Sequence, residues 1–213
     1  TENCAITSQL FEFDRPGSVG KAAAEVEIKI DSNNSEILMK GPFLMKGYYK
    51  LPDLTKKTIK NGWLHTGDQG KIDKDGYLFV TGRVKDLFKT TKGKYIEPLV
   101  LESHFTDISE FEQVCVVGLG LDQPICLGVL SDIGKEKTRE EIQDFMGEHL
   151  EKTNSKLPGY QKISTFVVVK DAWTVENGLT TPTMKIKRNQ IDKYYDSNYS
   201  NWNNNDAKVV FES

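Results

Sequence analysis

Short apolar runs separated by glycine-rich turns dominate the first 83 residues of the chain. The alternation of apolar and polar positions predicts strands at residues 24–30, 36–39, 64–72 and 77–82. Asp75 and Gly76, between the last two runs, predict a tight hairpin turn, because glycine adopts the positive φ that such turns require. The pattern therefore predicts a small, mostly antiparallel barrel or curved sheet.

After Gly82 the pattern changes to strand, helix, strand, strand, helix, strand, helix, which is typical of a compact α+β domain. Continuous apolar runs predict buried strands at residues 114–118, 125–130 and 163–169. Helices are predicted at residues 97–107, 139–152 and 188–195. The Asn- and Ser-rich residues that follow, 196–205, resemble a frayed tail.

The helix predicted at residues 139–152 has the clearest signals. Thr138 is placed to cap its first turn, and Glu141 completes a capping box. One apolar stripe, which predicts packing against the core, is formed by Ile142, Phe145, Met146 and Leu150.

These elements together predict an α+β protein with two parts. A small β-rich, barrel-like subdomain covers residues 1–83, and a compact α+β domain covers residues 84–195. Residues 196–213 are predicted to be a tail.

Size and charge narrow the class of protein. A chain of 213 residues with 38% hydrophobic content can bury a core. The balance of 28 basic and 31 acidic residues gives a net charge of −3, which does not favour general binding to nucleic acid or anionic membrane. No apolar run reaches the ~20 residues of a membrane-spanning helix, and no export pattern opens the chain.

The three cysteines, Cys4, Cys115 and Cys126, are odd in number and widely spaced. This usage fits buried thiols in a reducing compartment, and we expect a cytoplasmic protein. The opening residues Thr1-Glu2-Asn3 resemble the inside of a motif, so we expect a fragment of a longer chain.

Asp68 and Arg83 are the first candidates for ligand chemistry, because the two adjacent strands of one predicted hairpin could present both side chains to one nucleotide. A carboxylate can accept two hydrogen bonds from a ribose diol, and a guanidinium offers a fixed fork of donors to ribose or phosphate oxygens. Gly67 would let a ligand approach the backbone closely. The structural alternatives are a turn-capping Asp68 and a surface ion pair of Arg83.

Two basic loops follow in the second part. Lys89, Lys92, Gly93 and Lys94 form a glycine-containing loop that suits a phosphate-bearing or pantetheine-like chain, although solvated surface lysines are an equal alternative. Residues 179–188 combine a hydroxyl-rich turn with several cations, and the alternative is again a solvated loop.

Other catalytic classes lack their motifs. The three histidines and the cysteines show no metal-ligand spacing, and the sequence has neither a Gly-x-Ser-x-Gly elbow nor a Gly-Lys-Ser/Thr phosphate loop. The pattern therefore does not favour a hydrolytic triad or a metalloenzyme.

Four blocks in order, residues 1–2, 62–68, 82–98 and 179–188, resemble the AMP-forming acyl-CoA synthetases, also called adenylate-forming enzymes. The residue sequences of the last three blocks are most similar to the C-terminal portion of long-chain fatty acid–CoA ligases. The resemblance implies that residues 1–83 are the β-rich end of a large catalytic domain and that residues 84–195 are a mobile α+β lid.

The resemblance also implies roles for single residues in the first part and at the junction. Glu2 matches an acidic residue that holds Mg²⁺ near the ATP phosphates. Asp68 and Arg83 match the ribose-binding pair, and Lys85 matches the hinge of the lid.

In the lid, the resemblance implies that Gly93 faces the CoA tunnel and that Lys185 is the catalytic lysine that contacts the fatty carboxylate and the α-phosphate. Met184 departs from the pattern, because glycine is common there in the superfamily but not in the fatty-acid branch. Tyr95 stands where some relatives carry Arg, so it is given no phosphate role.

The implied activity is that of a ligase using a fatty acid, ATP with Mg²⁺, and CoA as small-molecule substrates and cofactors. The implied partner is the missing N-terminal part of the same chain, without which the piece is not expected to activate fatty acids. The sequence does not show peripheral membrane association. Alternatives are a fatty acyl-AMP ligase, a carrier-protein-loading adenylating enzyme, and a non-catalytic nucleotide-binding module.

Overall fold

A computed structural model describes residues 2–3, 6–8, 15–205 and 207–212. The chain divides into two compact units, Thr1–Lys85 and Asp86–Ser213. The predicted boundary between residues 83 and 84 lies close to this division. Whether the second unit moves as a lid stays a prediction.

The first unit is built mainly from antiparallel strands. Strands β1 (Thr7–Ser8) and β2 (Lys21–Ala22) form a short pair. The main sheet contains β3 (Glu27–Ile30), β4 (Glu36–Lys40), β5 (Ile59–Lys60), β6 (Trp63–Ile72) and β7 (Leu78–Arg83), with helix α1 (Pro52–Thr58) before β5.

Strand β6 is the centre of this sheet. β4 pairs along one of its edges, while β5 and β7 share the other edge, and β3 pairs with β4. Among the described residues, β3 does not pair with β5 or β7, so the sheet is open rather than a closed barrel. The four predicted strands and the β-rich character of this unit are confirmed.

The hairpin between β6 and β7 turns where the sequence predicted. Gly76 has a φ of 84°, and its N–H donates to the carbonyl of Asp73 at 3.0 Å. The Asp73 carboxylate accepts the backbone N–H groups of Asp75 and Tyr77. These hydrogen bonds hold the pKa of Asp73 below its usual value, and the one from Tyr77 has the larger effect.

The second unit contains a four-stranded sheet in the order β10, β11, β12, β13. The first pair is antiparallel and the other two are parallel. These strands are β10 (Phe111–Val117), β11 (Ile125–Leu130), β12 (Phe166–Val169) and β13 (Val209–Phe211), and a separate hairpin is formed by β8 (Phe88–Lys89) and β9 (Tyr95–Ile96). The predicted α+β class is confirmed.

Amphipathic helices cover both faces of this sheet. The helices are α2 (Pro98–Glu102), α3 (Asp132–Lys135), α4 (Arg139–Asn154) and α5 (Arg188–Asn203). Val116, Cys126 and Phe166 pack with α4, whereas their strand neighbours Cys115 and Val167 pack with α5. Since side chains alternate across a strand, α4 and α5 lie on opposite faces.

Helix α4 begins with the predicted capping box of Thr138 and Glu141. Its buried stripe is Ile142, Met146 and Leu150, but Phe145 is 37% exposed and lies beside the ammonium of Lys137. The prediction that Phe145 belongs to the core stripe is therefore wrong.

The predicted tail is also wrong over most of its length. Helix α5 continues to Asn203, because Tyr199 and Trp202 extend the buried stripe that begins with Ile191 and Tyr195. Beyond it, β13 adds a parallel strand to β12. The Asn and Ser residues lie between these apolar positions, so the composition of the segment masked the helical spacing of its apolar residues.

Helices α1 and α3 had no counterpart in the sequence prediction, and α2 ends well before residue 107. Pro52 opens α1, and Ser131 caps α3 by accepting the N–H of Gly134 at 3.1 Å. After α2 the backbone makes 3₁₀-type turns with hydrogen bonds between residues i and i+3, for example from the Phe105 N–H to the Glu102 carbonyl.

Cys115 and Cys126 are buried and free, as the sequence indicated, whereas Cys4 lies outside the described residues. Burial raises the pKa of both thiols, so neither is a thiolate at neutral pH. None of the described helices has the length and apolarity needed to cross a membrane.

A partly buried acid in α5 gives a stability prediction. Burial raises the pKa of Asp192 above its usual value, although the Tyr199 hydroxyl donates to it at 2.9 Å and Arg188 also acts to lower the pKa. Such a carboxyl favours folding in its protonated form. Its contribution is largest below the unfolded pKa of about 3.9 and is lost as pH rises through the folded value.

We therefore expect Asp192→Asn to raise the free energy of unfolding at pH 7, because the amide still accepts from Tyr199 without a desolvated charge. The gain should shrink as the pH falls below about 4. Urea denaturation at both pH values measures it, with Asp144→Asn at an exposed position of α4 as control. A loss of stability at pH 7 would contradict the role of burial.

Candidate functional site

Strand β6 leaves regular pairing with β4 just before its midpoint. Gln69 and His65 are four residues apart on β6, but their partners on β4, Glu36 and Leu38, are only two apart. The extra residues form a bulge at 66–68. Gly67, with a φ of 74°, lies at its centre, and a Cβ there would meet nothing within 4 Å. Glycine is therefore required for its backbone conformation and not for space.

Side chains on both strands hold the bulge. The Thr66 hydroxyl donates to the Ile37 carbonyl at 2.8 Å and accepts the Asp68 N–H at 3.1 Å. One carboxylate oxygen of Glu36 accepts the Gly67 N–H at 2.9 Å, and the other lies 2.9 Å from His65 Nδ1. Every residue of the bulge is thus held by at least one hydrogen bond.

The bulge places Asp68 directly opposite Arg83 in the pairing of β6 with β7. Arg83 Nε lies 3.2 Å from Asp68 Oδ1, and the side chains of Arg83 and Asp68 are 66% and 37% exposed, respectively. An exposed pair of this kind contributes only about 0–1 kcal/mol to stability. Both groups are therefore accessible to a ligand, and the predicted ligand pair and the alternative surface ion pair describe the same contact.

The pair lies at a pocket of about 380 Å³ within the first unit. Glu2 also lines it, and Tyr48 donates its hydroxyl to Glu2 Oε1 at 2.9 Å. This hydrogen bond is the main reason that the pKa of Tyr48 is raised. The other lining residues are Asn3, Ile6, Met39, Thr58, Leu64, His65 and Thr66.

The pocket fits a magnesium ion only in company with a phosphate ligand. The described part of the chain has no cluster of three or more His, Cys, Asp or Glu side chains that could hold a metal. Mg²⁺ commonly binds through one or two carboxylates together with substrate phosphates and water. A single carboxylate such as Glu2 suits that kind of site and not a preformed protein cage.

Lys85 lies outside this pocket. It is exposed in a short 3₁₀ turn, Val84–Asp86, which follows β7 directly. The division between the two units falls immediately after it. The position is compatible with a hinge, and the hinge role stays a prediction.

Gly93 lies in the exposed loop that joins β8 and β9. Its φ is 76°, and its N–H donates to the Thr90 carbonyl at 2.9 Å, while the Thr90 N–H donates to Lys94. Lys92 is paired with Asp122 at 3.2 Å. The loop is therefore a closed turn with one of its cations already neutralised.

Lys185 lies in a second tight hairpin of this unit, at residues 179–187. Thr180 bridges Ile186, and the Thr181 N–H donates to the Lys185 carbonyl at 2.8 Å. Met184, with a φ of 59°, makes the turn in the left-handed region. The Lys185 side chain is exposed, and its ammonium forms no ion pair with any described residue. The cation is thus presented on a defined backbone and remains available.

Comparison with known families identifies the fold. Residues 57–202 match the model of the AMP-binding enzyme C-terminal domain. This chain belongs to that family. The resemblance inferred from the motifs is therefore confirmed, and the match covers the Asp68–Arg83 hairpin as well as the Lys185 hairpin of this AMP-binding enzyme C-terminal domain.

Curated relatives agree with this assignment. The chain is 31% identical over 227 residues to long chain acyl-CoA synthetase 5 of Arabidopsis thaliana, covering 92% of the chain and 34% of the relative. It is 32% identical over 225 residues to long-chain-fatty-acid–CoA ligase 5 of Mus musculus, covering 92% and 32%. The chain spans about a third of the length of these relatives.

Solved structures share the fold. O-succinylbenzoate coenzyme A synthetase from Bacillus subtilis, in complex with AMP, matches with a TM-score of 0.69 and 28% identity, over 90% of this chain and 39% of that one. The adenylation domain of a carboxylate reductase from Mycobacterium chelonae matches with a TM-score of 0.70, over 84% and 30%. At 21% identity the second likeness concerns the fold alone.

The structure of this AMP-binding enzyme C-terminal domain also adds a buried ion pair that sequence reasoning missed. Arg188 at the start of α5 is ion-paired with Glu102: its Nη2 donates to Oε2 at 3.0 Å, and its Nη1 lies 2.7 Å from Oε1. The same carboxylate accepts the Val116 N–H at 2.6 Å. Both side chains are about nine-tenths buried, so this pair anchors the C-terminal end of the Lys185 hairpin to β10.

Three site residues predicted from the sequence, Glu2, Asp68 and Arg83, line one pocket. Of the other three, Lys85 ends the first unit, and Gly93 and Lys185 lie on separate hairpins of the second unit. The roles assigned to all six stay predictions. Glu36, Tyr48 and Glu102 were not predicted as site residues, because their hydrogen-bond partners lie far from them in the sequence.

The bulge gives a prediction about Gly67. An L-residue in the left-handed region costs roughly 1–2 kcal/mol, so Gly67→Ala should lower the free energy of unfolding by about that amount. Gly159→Ala is the matched control, since its Cβ also meets nothing within 4 Å and its φ is not positive. Urea denaturation of both variants measures the difference, and equal stabilities would contradict the requirement for glycine.

Proposed function

We propose that this chain is the C-terminal portion of a long-chain fatty acid–CoA ligase. The enzyme activates a fatty acid with ATP to an acyl-adenylate and then transfers the acyl group to CoA, releasing AMP and pyrophosphate. The family assignment and the long-chain acyl-CoA synthetases among the relatives support the proposal. The observation that carries it is the exposed Asp68–Arg83 pair beside the pocket that Glu2 lines.

Asp68 and Arg83 bind the ribose of the nucleotide in this proposal. The Asp68 carboxylate accepts hydrogen bonds from the diol, and Arg83 contributes donors that its contact with Asp68 leaves available. Charge-assisted hydrogen bonds of this kind contribute roughly 1.5–3 kcal/mol each. The weak pairing in the free protein means that little is lost when the ligand takes over these contacts.

Adenylation joins two anions, so cations are needed at the reacting oxygens. The fatty carboxylate attacks the α-phosphorus of ATP, the bond to pyrophosphate breaks, and pyrophosphate leaves. Lys185 supplies an ammonium to the carboxylate and the α-phosphate. Glu2 is the carboxylate that would hold Mg²⁺, which supplies charge neutralisation to the ATP phosphates.

Thioester formation requires a different surface at the same acyl-adenylate. The CoA thiol attacks the acyl carbonyl, and AMP leaves. Rotation at Lys85 would exchange the Lys185 hairpin for the Gly93 turn, whose lack of a side chain leaves room for the pantetheine chain. The lid motion, the hinge and the CoA tunnel are proposals for Lys85 and Gly93.

The partners in this proposal are the fatty acid, ATP, CoA and an N-terminal part that supplies the remaining pocket. Nucleic acid is not among them, since the net charge is −3. We propose a cytoplasmic location, supported by two buried, unpaired thiols. Formation of acyl carrier protein thioester instead of acyl-CoA by the full-length protein would identify the alternative adenylating enzymes.

The ribose contact predicts a selective loss of affinity. Asp68→Asn in the full-length protein should weaken AMP binding roughly tenfold to a hundredfold, since the charged acceptor is lost. Binding of 2′,3′-dideoxy-AMP should not change. Isothermal titration calorimetry measures both, with Asp53→Asn at an exposed position of α1 as control. Equal affinity of the parent and the Asp68 variant for AMP would refute the ribose role.

The ammonium contact predicts a split between the two half-reactions. Lys185→Ala should lower the rate of acyl-adenylate formation roughly 10²- to 10³-fold, by analogy with the loss of one transition-state charge stabiliser. Thioester formation from supplied acyl-adenylate should be preserved. Pyrophosphate release and single-turnover acyl-CoA formation measure the two steps.

The exposed Lys193→Ala on α5 is the matched control for the loss of one lysine. Adenylation at the parental rate in the Lys185 variant would make the catalytic role untenable. That outcome would favour a nucleotide-binding module without turnover.

A further inference from the structure

A buried carboxylate lies behind the nucleotide pocket and has no role in the proposed reaction. Glu36 opens β4, and the residue is only 8% exposed. An ionised carboxylate is costly to bury unless its oxygens are hydrogen-bonded. Both oxygens of Glu36 have partners, the Gly67 N–H and His65 Nδ1, each at 2.9 Å. The side chain is therefore committed to the bulge in β6.

The contact with Gly67 acts on the one bulge residue that has a left-handed backbone. Glycine is the residue type with the greatest backbone freedom, so the φ of 74° at Gly67 is one of several values that this residue could adopt. A hydrogen bond from its N–H to a charged acceptor is stronger than one to a neutral acceptor. Glu36 therefore selects one conformation of the peptide immediately before Asp68.

The contact with His65 fixes the other side of the bulge. A carboxylate only accepts hydrogen bonds, so His65 Nδ1 carries the proton in this contact. His65 lines the pocket, as does Asp68. Glu36 thus contacts His65 and Gly67, the residues on either side of Thr66, without itself lining the pocket.

We propose that Glu36 is a positioning residue. It sets the conformation of the Thr66-Gly67-Asp68 bulge and thereby the strength of the hydrogen bonds between Asp68 and the ribose diol. The inference rests on the proposed function, since it needs Asp68 to bind ribose. It adds that nucleotide affinity depends on a residue of β4 that does not touch the nucleotide.

The variants are chosen to separate positioning from general stability. Glu36→Ala removes both contacts, whereas Glu36→Gln keeps an acceptor for Gly67, and its amide N–H can donate to His65 Nδ1 once the imidazole proton has moved to Nε2. Glu36→Asp keeps the charge but shortens the side chain, and it replaces the alanine variant in the test if that variant does not fold. Glu27→Ala on the neighbouring strand β3 is the control, because its side chain is 64% exposed.

The measurement is calorimetric binding of AMP and of 2′,3′-dideoxy-AMP to the full-length protein. We expect Glu36→Ala to weaken AMP binding roughly tenfold, as for the loss of one charge-assisted hydrogen bond. Binding of the dideoxy nucleotide should stay unchanged, Glu36→Gln should stay within about twofold of the parent for AMP, and Glu27→Ala should have no effect.

Coupling to Asp68 provides the decisive comparison. If Glu36 acts through Asp68, then Glu36→Ala added to Asp68→Asn weakens AMP binding no further than Asp68→Asn alone. Additive losses, an equal loss for both nucleotides, or failure of the glutamine variant to restore affinity would overturn the inference. If Asp68→Asn binds both nucleotides like the parent, the ribose role itself is refuted. If Asp68→Asn loses affinity for AMP alone but Glu36→Ala loses affinity for both nucleotides, only the positioning role is refuted.

Discussion

The hydrogen bond from the Gly67 N–H to the buried carboxylate of Glu36 is the constraint on which the first unit's site depends. It lies within the register shift between β6 and β4, directly before the point where β6 begins to pair with β7 at Asp68 and Arg83. A regular strand would alternate its side chains and continue without interruption. The bulge instead presents a carboxylate and a guanidinium side by side at the pocket, where their mutual attraction is too weak to exclude a ligand.

The second unit presents a single cation, the Lys185 ammonium, on a stable backbone. The sheet is covered on both faces, and the Glu102–Arg188 pair joins the start of α5 to β10 inside that core. Breaking a buried pair leaves an uncompensated charge, so its removal is strongly destabilising. The exposed Lys185 lies just before this anchor, and its backbone is held by hydrogen bonds to Thr181. In the proposed reaction, this arrangement delivers the ammonium without reorganising the hairpin.

Most of the fold was predictable because apolar periodicity reports burial directly. Four strands of the first unit (β3, β4, β6 and β7), the central strands of the second and the capping box of α4 follow from local patterns, whereas the two-residue strands β1, β2 and β5 were not predicted. The tail was mistaken because Asn and Ser residues dominate its composition, although Tyr199 and Trp202 continue a buried stripe. Phe145 was mistaken for the opposite reason, since an apolar residue at helical spacing can still face solvent at the edge of a stripe.

The sequence by itself determined the family, the α+β class and the identity of the candidate ligand residues, because these depend on local spacing and on motifs read in order. The tertiary structure decided which of those residues share a pocket, and it introduced Glu36 and Tyr48 as their partners. Such pairings join residues far apart in the chain, as when Glu36 contacts Gly67 across two strands. A register shift and a left-handed glycine, which set that contact, are visible only once the strands have been paired.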